Sequence, residues 1–163
     1  MRTLDRLTMR ASPEAVHAAA TAVEAWPRLL SHYRRVRVLE QRQDGSSIVE
    51  MAAVRPFGVA RWPVWWVSEM RSDTEAKTVT YRHIRGITTG MDVEWRVVQG
   101  RDGTDVTIEH RWPGPRWPVI GGPAAQLVIG PLFIHGIASR TLAGLAAVVE
   151  TARDAEIIAG RPL

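Results

Sequence analysis

The 163-residue chain contains no cysteine. Neither a disulfide nor a thiolate metal site can carry its stability or chemistry, and cysteine usage leaves the redox compartment uncoded. Lysine is nearly absent as well. Lys77 stands alone, so the formal net charge of +4 rests on arginine, and a high isoelectric point built this way reads as a solvated arginine surface rather than a nucleic-acid groove. The sequence also lacks a glycine fingerprint for phosphate, the glycines of a nucleophile elbow around Ser68, and histidines beside carboxylates at metal-ligand spacing. No metal or cofactor is therefore expected. The N-terminus, Met1 to Arg10, alternates charges with Leu4, Leu7 and Met9 and has no apolar run of the kind a secretory signal carries, which favours the cytoplasm.

Charge is missing from one long stretch, Trp117 to Ser139. A spanning helix there would be broken by Pro118, Pro123, Pro131 and Gly121-Gly122, so the stretch reads as a lid over a pocket rather than a stable membrane span. Charge is instead concentrated in Arg34, Arg35 and Arg37, just after His32 and Tyr33. That cluster suits docking of an acidic partner.

What the chain does contain is punctuation. Ser12-Pro13-Glu14 predicts a helix start, with Ser12 as cap, Pro13 in the first turn and Glu14 at the positive end of the dipole, and an Ala-rich helix to about Glu24. Trp26-Pro27 breaks it, and Arg28 to His32 reads as a short second helical turn. Period-two segments follow: Arg35 to Gln41, Ser47 to Val54, Val64 to Arg71, Thr78 to Ile84, Met91 to Gln99 and Asp105 to Trp112. They are separated by turns at Asp44-Gly45, a Pro56 to Gly58 corner and Asp102-Gly103. With a first strand at Thr3 to Met9 they predict a seven-stranded antiparallel meander. A long helix then carries a one-sided stripe of Ile134, Ile137, Ala138, Thr141, Leu142, Leu145, Val148, Val149 and Ala152. The fold class is α+β, with residues 1–155 as one domain and 156–163 as a tail.

Strand parity assigns the covered face. The inward sets are Val64, Trp66, Ser68, Met70; Val79, Tyr81, His83; Met91, Val93, Trp95, Val97; and Val106, Ile108, His110, Trp112. Glu69 and Arg71 then point outward, and so do Trp65 and Val67, which could form an interface. A core built only for stability would avoid Ser68, His83 and His110, since each buried polar group needs a partner or costs about 1–3 kcal/mol. A ligand cavity wants that mixture of apolar wall and a few polar groups. His110 and His83 are the candidate acid and base, because imidazole titrates near neutrality; His135 is a candidate pocket residue, while His17 and His32 read as surface or packing residues.

The order of strand, helix pair, six-strand meander and long C-terminal helix resembles the START-like helix-grip fold, which includes polyketide cyclases, coenzyme Q-binding proteins and lipid-transfer domains. Four segments, Glu24 to Pro27 leading to Tyr33, Trp66 to Ser68, Met91 to Trp95, and Ser139 to Thr141, resemble the aromatase/cyclases of bacterial aromatic polyketide synthesis. The resemblance runs from about Leu7 to Glu150. It implies a sheet curled around the C-terminal helix, a pocket containing Trp26, Tyr33, Trp66, Ser68 and Trp95, and a polar pocket residue at His110. The family's pocket arginine, two residues after Ser68, is replaced by Met70.

Together these readings predict a polyketide cyclase or aromatase-like protein that needs no cofactor. Its candidate catalytic groups are His110, His83, Ser68 and Tyr33, and its candidate substrate-binding residues are Trp26, Trp66, Met70, Tyr81, Met91, Trp95, Ile108, Trp112 and His135. An acidic acyl carrier protein could dock at Arg34, Arg35 and Arg37. Met70 in place of arginine makes the cavity more apolar and favours the alternative, a non-catalytic carrier of a quinone, lipid or pigment.

Overall fold

Alternation of inward apolar and outward polar side chains builds a seven-stranded sheet in the computed structural model, which describes residues 1–57, 60–114 and 134–159. The strands are β1 (Arg2–Met9), β2 (Tyr33–Gln41), β3 (Ser47–Phe57), β4 (Ala60–Asp73), β5 (Thr78–Gly86), β6 (Asp92–Gln99) and β7 (Thr104–Arg111). Their order across the sheet is β1-β7-β6-β5-β4-β3-β2, with neighbours antiparallel throughout. Strands β2 to β7 form the expected meander. β1 closes on the last strand, so β1 and β2, successive in sequence, lie at opposite edges.

The segment that crosses between those edges is helical. α1 (Pro13–Thr21) opens as the sequence predicts, with the Ser12 hydroxyl accepting from the Ala15 amide at 3.3 Å and Pro13 in the first turn. It ends three residues earlier than Glu24, and a 3-10 turn (Val23–Ala25) leads into α2 (Trp26–Leu29). Trp26-Pro27 thus starts the second helix instead of only ending the first, and the expected turn at Arg28 to His32 is displaced towards the N-terminus. Proline has no amide proton, and the first turn of a helix is where none is needed. The Trp26 indole N–H then donates to the Ala19 carbonyl at 3.0 Å and folds α2 back on α1.

Parity holds on the inner face: every residue of the four inward sets is buried. On the outer face Trp65 is exposed but Val67 is not, with only 3% of its surface accessible. Its cross-strand neighbours are the long side chains Glu50 and Arg85, so Val67 cannot serve the interface expected of it. At the far end of β3, pairing continues through Pro56↔Arg61 and Phe57↔Ala60, which places Pro56 inside the strand rather than in a corner. Gly58 lies outside the described residues.

The long helix, α3 (His135–Ile158), lays Ala138, Thr141, Leu142, Leu145 and Val149 on the inner face of the sheet. Each large apolar group buried there contributes about 1.5–3 kcal/mol. Ala152 is exposed, and the helix continues through Glu156–Ile158, part of the segment expected as a tail. Among the described residues no helix is long and apolar enough to cross a membrane. Trp117 and most of the uncharged stretch read as a lid lie outside the described residues.

Candidate functional site

Between the inner face and the N-terminal half of α3 is a cavity with about 90 Å³ of free volume. One side of it is a continuous series of rings. Trp95 on β6 meets Trp26 on α2 (centroids 5.9 Å apart), Trp26 meets Tyr33 at the start of β2 (5.0 Å), Tyr33 meets Trp66 on β4 (6.3 Å), and Trp66 meets His83 on β5 (5.8 Å). The first three contacts are tilted or edge-on, the geometry that aromatic quadrupoles prefer, whereas the His83 ring lies nearly parallel to Trp66, 13° from coplanar.

A local backbone device positions that stacked pair. The β4/β5 register shifts between Val67 and Ser68, bringing Ser68 opposite His83 and Trp66 opposite Gly86. Gly86 has φ +102°, and a Cβ there would lie 2.5 Å from the Trp65 carbonyl oxygen and 2.9 Å from the Trp66 Cα. Only glycine allows the strands to approach this closely.

Two imidazoles line the cavity. His83 shares its Nδ1 with the Thr88 hydroxyl at 2.6 Å, and His110 shares its Nδ1 with the Thr3 hydroxyl at 3.2 Å. Among the described residues neither Nε2 has a hydrogen-bond partner. Burial, and then the proximity of His110, lowers the His83 pKa to about 3, while burial lowers that of His110 to about 4. Both rings are therefore neutral at pH 7 and present uncharged nitrogen to the site.

A third imidazole acts from behind the wall. Thr141 of α3 donates its only hydroxyl proton to the Ile137 carbonyl at 2.8 Å. His32 Nε2 at 3.1 Å and the Tyr33 hydroxyl at 3.4 Å must then donate to the Thr141 oxygen. This fixes His32 as the Nε2–H tautomer and turns the Tyr33 proton towards Thr141. Burial followed by the Arg140 charge lowers the His32 pKa to about 4, and burial, partly opposed by the Thr141 hydrogen bond, raises that of Tyr33 to about 12.

Of the sequence candidates, Trp26, Tyr33, Trp66, Tyr81, His83, Met91, Trp95, Ile108 and His110 line the cavity. Ser68, Met70, Trp112 and His135 do not. Ser68 is fully buried, its hydroxyl unpaired among the described residues, beside His83 in the register. Met70 packs into the core opposite Tyr81, whose own hydroxyl is buried without a partner among the described residues and whose pKa is driven up by burial and then by Tyr33. Trp112 is structural: its indole donates to the Thr89 carbonyl at 3.0 Å, and its backbone exchanges hydrogen bonds with Met1. His135 is exposed and contacts Asp5.

Thr88, His32 and Asp5 are among the residues near the site that the sequence reading did not single out. Thr88 follows a strand end that parity does not cover. His32 reads from sequence as a surface or packing residue, although its adjacency to Tyr33 is visible there. Asp5 is 4% exposed on the inner face of β1; parity applied to Thr3, Asp5, Leu7 and Met9 would have found it.

A family model described as "Polyketide cyclase / dehydrase and lipid transport" matches residues 9–129. Among solved structures the chain is similar to a Thermus thermophilus protein, TTHA0849 (TM-score 0.76, 20% identity, 93% of this chain and 99% of that one). It is similar also to the Zhui aromatase/cyclase of a Streptomyces species (TM-score 0.69, 18% identity, 99% of each chain). A START superfamily protein of Mycobacterium smegmatis aligns with TM-score 0.70 at 16% identity, over 93% of this chain and 98% of that one. At such identities the likeness concerns architecture, and that architecture is the helix-grip fold.

Proposed function

The chain belongs to the polyketide cyclase/dehydrase and lipid transport family, and from that premise we propose that it binds an aromatic or poly-β-ketone intermediate in the cavity and promotes its ring closure and dehydration, in the cytoplasm and without a cofactor. The observation that carries this reading is the pair of neutral imidazoles, His83 and His110, set in an otherwise aromatic and aliphatic wall. In such a closure, a base removes a proton from the methylene between two carbonyls. The resulting carbanion attacks a third carbonyl carbon, whose oxygen takes up that proton; the remaining proton of the former methylene and the new hydroxyl then leave together as water, forming a carbon–carbon double bond. In this reading His110 and His83 accept and return the abstracted proton through Nε2, each as the tautomer whose Nδ1–H donates to its threonine hydroxyl. Their lowered basicity makes them weak bases, so most of the acceleration falls on holding a flexible chain bent between the rings.

Tyr33, with its proton turned to Thr141, offers lone pairs to an enol hydroxyl. Ser68 lies opposite His83 in the register but outside the cavity lining, and takes no part in this reading. Delivery of a carrier-bound chain would use the exposed arginines of edge strand β2. Arg35 is ion-paired with Glu50 at 3.2 Å, so Arg34 and Arg37 would supply more of the attraction for an acidic acyl carrier protein.

The test is to incubate the protein with a carrier-bound linear poly-β-ketone and compare products with those formed spontaneously. A changed ring pattern is expected, and a product mixture identical to the protein-free one would overturn the reading.

One observation favours a second reading, a non-catalytic carrier of a quinone, lipid or pigment: no charged side chain lines the cavity among the described residues, and burial has made its imidazoles poor bases. Native mass spectrometry of freshly purified protein separates the two. A stoichiometric ligand that survives purification, together with unaltered polyketide products, would establish the carrier.

A further inference from the structure

Within the ring series that lines the cavity, Tyr33 is the member that carries a hydroxyl. It is buried, and its ring is held between those of Trp26 at 5.0 Å and Trp66 at 6.3 Å. The ring therefore has no room to swing away. What it offers a ligand depends on where its hydroxyl proton points.

That proton is governed by Thr141, buried on the sheet-facing side of α3. Among the described residues three polar groups reach its oxygen: the Ile137 carbonyl at 2.8 Å, His32 Nε2 at 3.1 Å and the Tyr33 hydroxyl at 3.4 Å. The carbonyl can only accept, and it is the shortest of the three contacts, so it takes the Thr141 proton in the back-bond that a helical threonine makes to the preceding turn. Two lone pairs of the threonine oxygen are then left for two donors. His32 is one of them. Tyr33 is the other, and because burial, partly opposed by the Thr141 hydrogen bond, raises its pKa to about 12, it keeps the proton that it donates. Towards the cavity it lines, the Tyr33 oxygen can therefore offer only lone pairs. An oxygen that only accepts tells two classes of ligand apart. A phenol or enol hydroxyl donates to it, whereas a quinone or ketone carbonyl sets its own lone pairs against it and gains nothing.

We propose that Thr141 is a specificity-determining residue that acts through Tyr33, making the cavity selective for a ligand that presents a phenolic or enolic hydroxyl over one that presents a carbonyl or ether oxygen in its place. For a poly-β-ketone the form held at Tyr33 is then the enol, and the phenol left by ring closure and dehydration fits the same contact. For a carried redox pigment the reduced, hydroxylated form is held in preference to the quinone. The proposal rests on the cavity being the ligand site.

The experiment titrates 2-naphthol and 2-methoxynaphthalene, both uncharged at pH 7, into the full chain by calorimetry and compares the ratio of their affinities among variants, so that the extra methyl of the ether cancels. Wild type should prefer the naphthol about fivefold. Thr141→Ser, which keeps the hydroxyl, should retain that preference, and Tyr33→Phe should lose it. In Thr141→Val the released Tyr33 proton can donate to either probe, so the ratio should fall towards that of Tyr33→Phe; Thr141→Ala is measured in its place if the valine variant does not fold. A threonine that only packs would weaken both probes together and leave the ratio unchanged, which overturns the proposal. Equal binding of the two probes by wild type, or a preference that survives in Tyr33→Phe, overturns it as well while leaving the cavity as the ligand site. If neither probe binds, the cavity reading fails and the selectivity falls with it.

Discussion

The imidazole of His83 lies almost parallel to the indole of Trp66, with ring centroids 5.8 Å apart, while its Nδ1 is engaged by Thr88 at 2.6 Å. The ring is thereby held on one face and at one nitrogen, and its Nε2 is left for the cavity. His110, held among the described residues only through Thr3 at 3.2 Å, is the less constrained of the two.

This difference predicts separable effects. His110→Ala should lower ring-closure activity about 10²-fold or more with ligand affinity preserved, since it removes a proton-transfer group at the wall. His83→Ala should weaken ligand binding as well, because it also removes a stacking surface from Trp66. Steady-state kinetics beside fluorescence binding checks both, and full activity in His110→Ala would take that residue out of the mechanism.

Acid should unfold the protein early. Unfolded imidazoles take up protons near pH 6.5, whereas folded His32 and His110 do so only near pH 4 and His83 near pH 3. Between those limits the unfolded chain binds more protons, so stability is lost as pH falls, by about 1.4 kcal/mol per pH unit for each histidine. Asp5, raised by burial, works in the opposite direction over the upper acid range. Urea unfolding from pH 7 to 4.5 should yield a proton uptake close to that of the three histidines less any offset from Asp5, and His83→Phe should remove about one proton from it.

Thr141 accepts from two buried donors, His32 and Tyr33, while giving its own proton to Ile137. Thr141→Val keeps the shape and strands both donors, at a cost of about 2–4 kcal/mol. Thr141→Ser, which retains the hydroxyl, should cost about 1 kcal/mol or less beyond the lost methyl. Equal destabilisation of the two variants in chemical denaturation would mean that the hydrogen bonds contribute little.

Met70, where the resemblance to aromatase/cyclases implies an arginine, packs its side chain into the core beside Tyr81 instead of lining the cavity. Met70→Arg must bury a guanidinium there, which should cost several kcal/mol and lower the melting temperature by roughly 10 °C. It should also weaken ligand binding without producing new cyclised products. A stable variant with altered ring closure would show that the arginine alone was missing from an ordinary site.

Much of this was legible in the sequence because the signals are local. A strand repeats every two residues, so alternation identified the inward faces of β4 to β7, and Ser12-Pro13 marked the start of α1 from the demands of a helix terminus. The exceptions were local as well: Val67 escaped parity because long neighbours cover it, and α1 stopped early because Pro27 suits the beginning of a helix.

Tertiary structure decided which inward residues face the void. Ser68, Met70 and Trp112 satisfy the same alternation as Trp66 and His110, but a cavity wall depends on where the sheet curves and where α3 crosses it, and neither is encoded in the period of one strand. The contacts of Thr141 with His32 and Tyr33, and of His135 with Asp5, join residues more than 100 positions apart. They exist because β1 pairs with β7 and α3 packs back across the sheet, so their chemistry appears only once the chain has closed on itself.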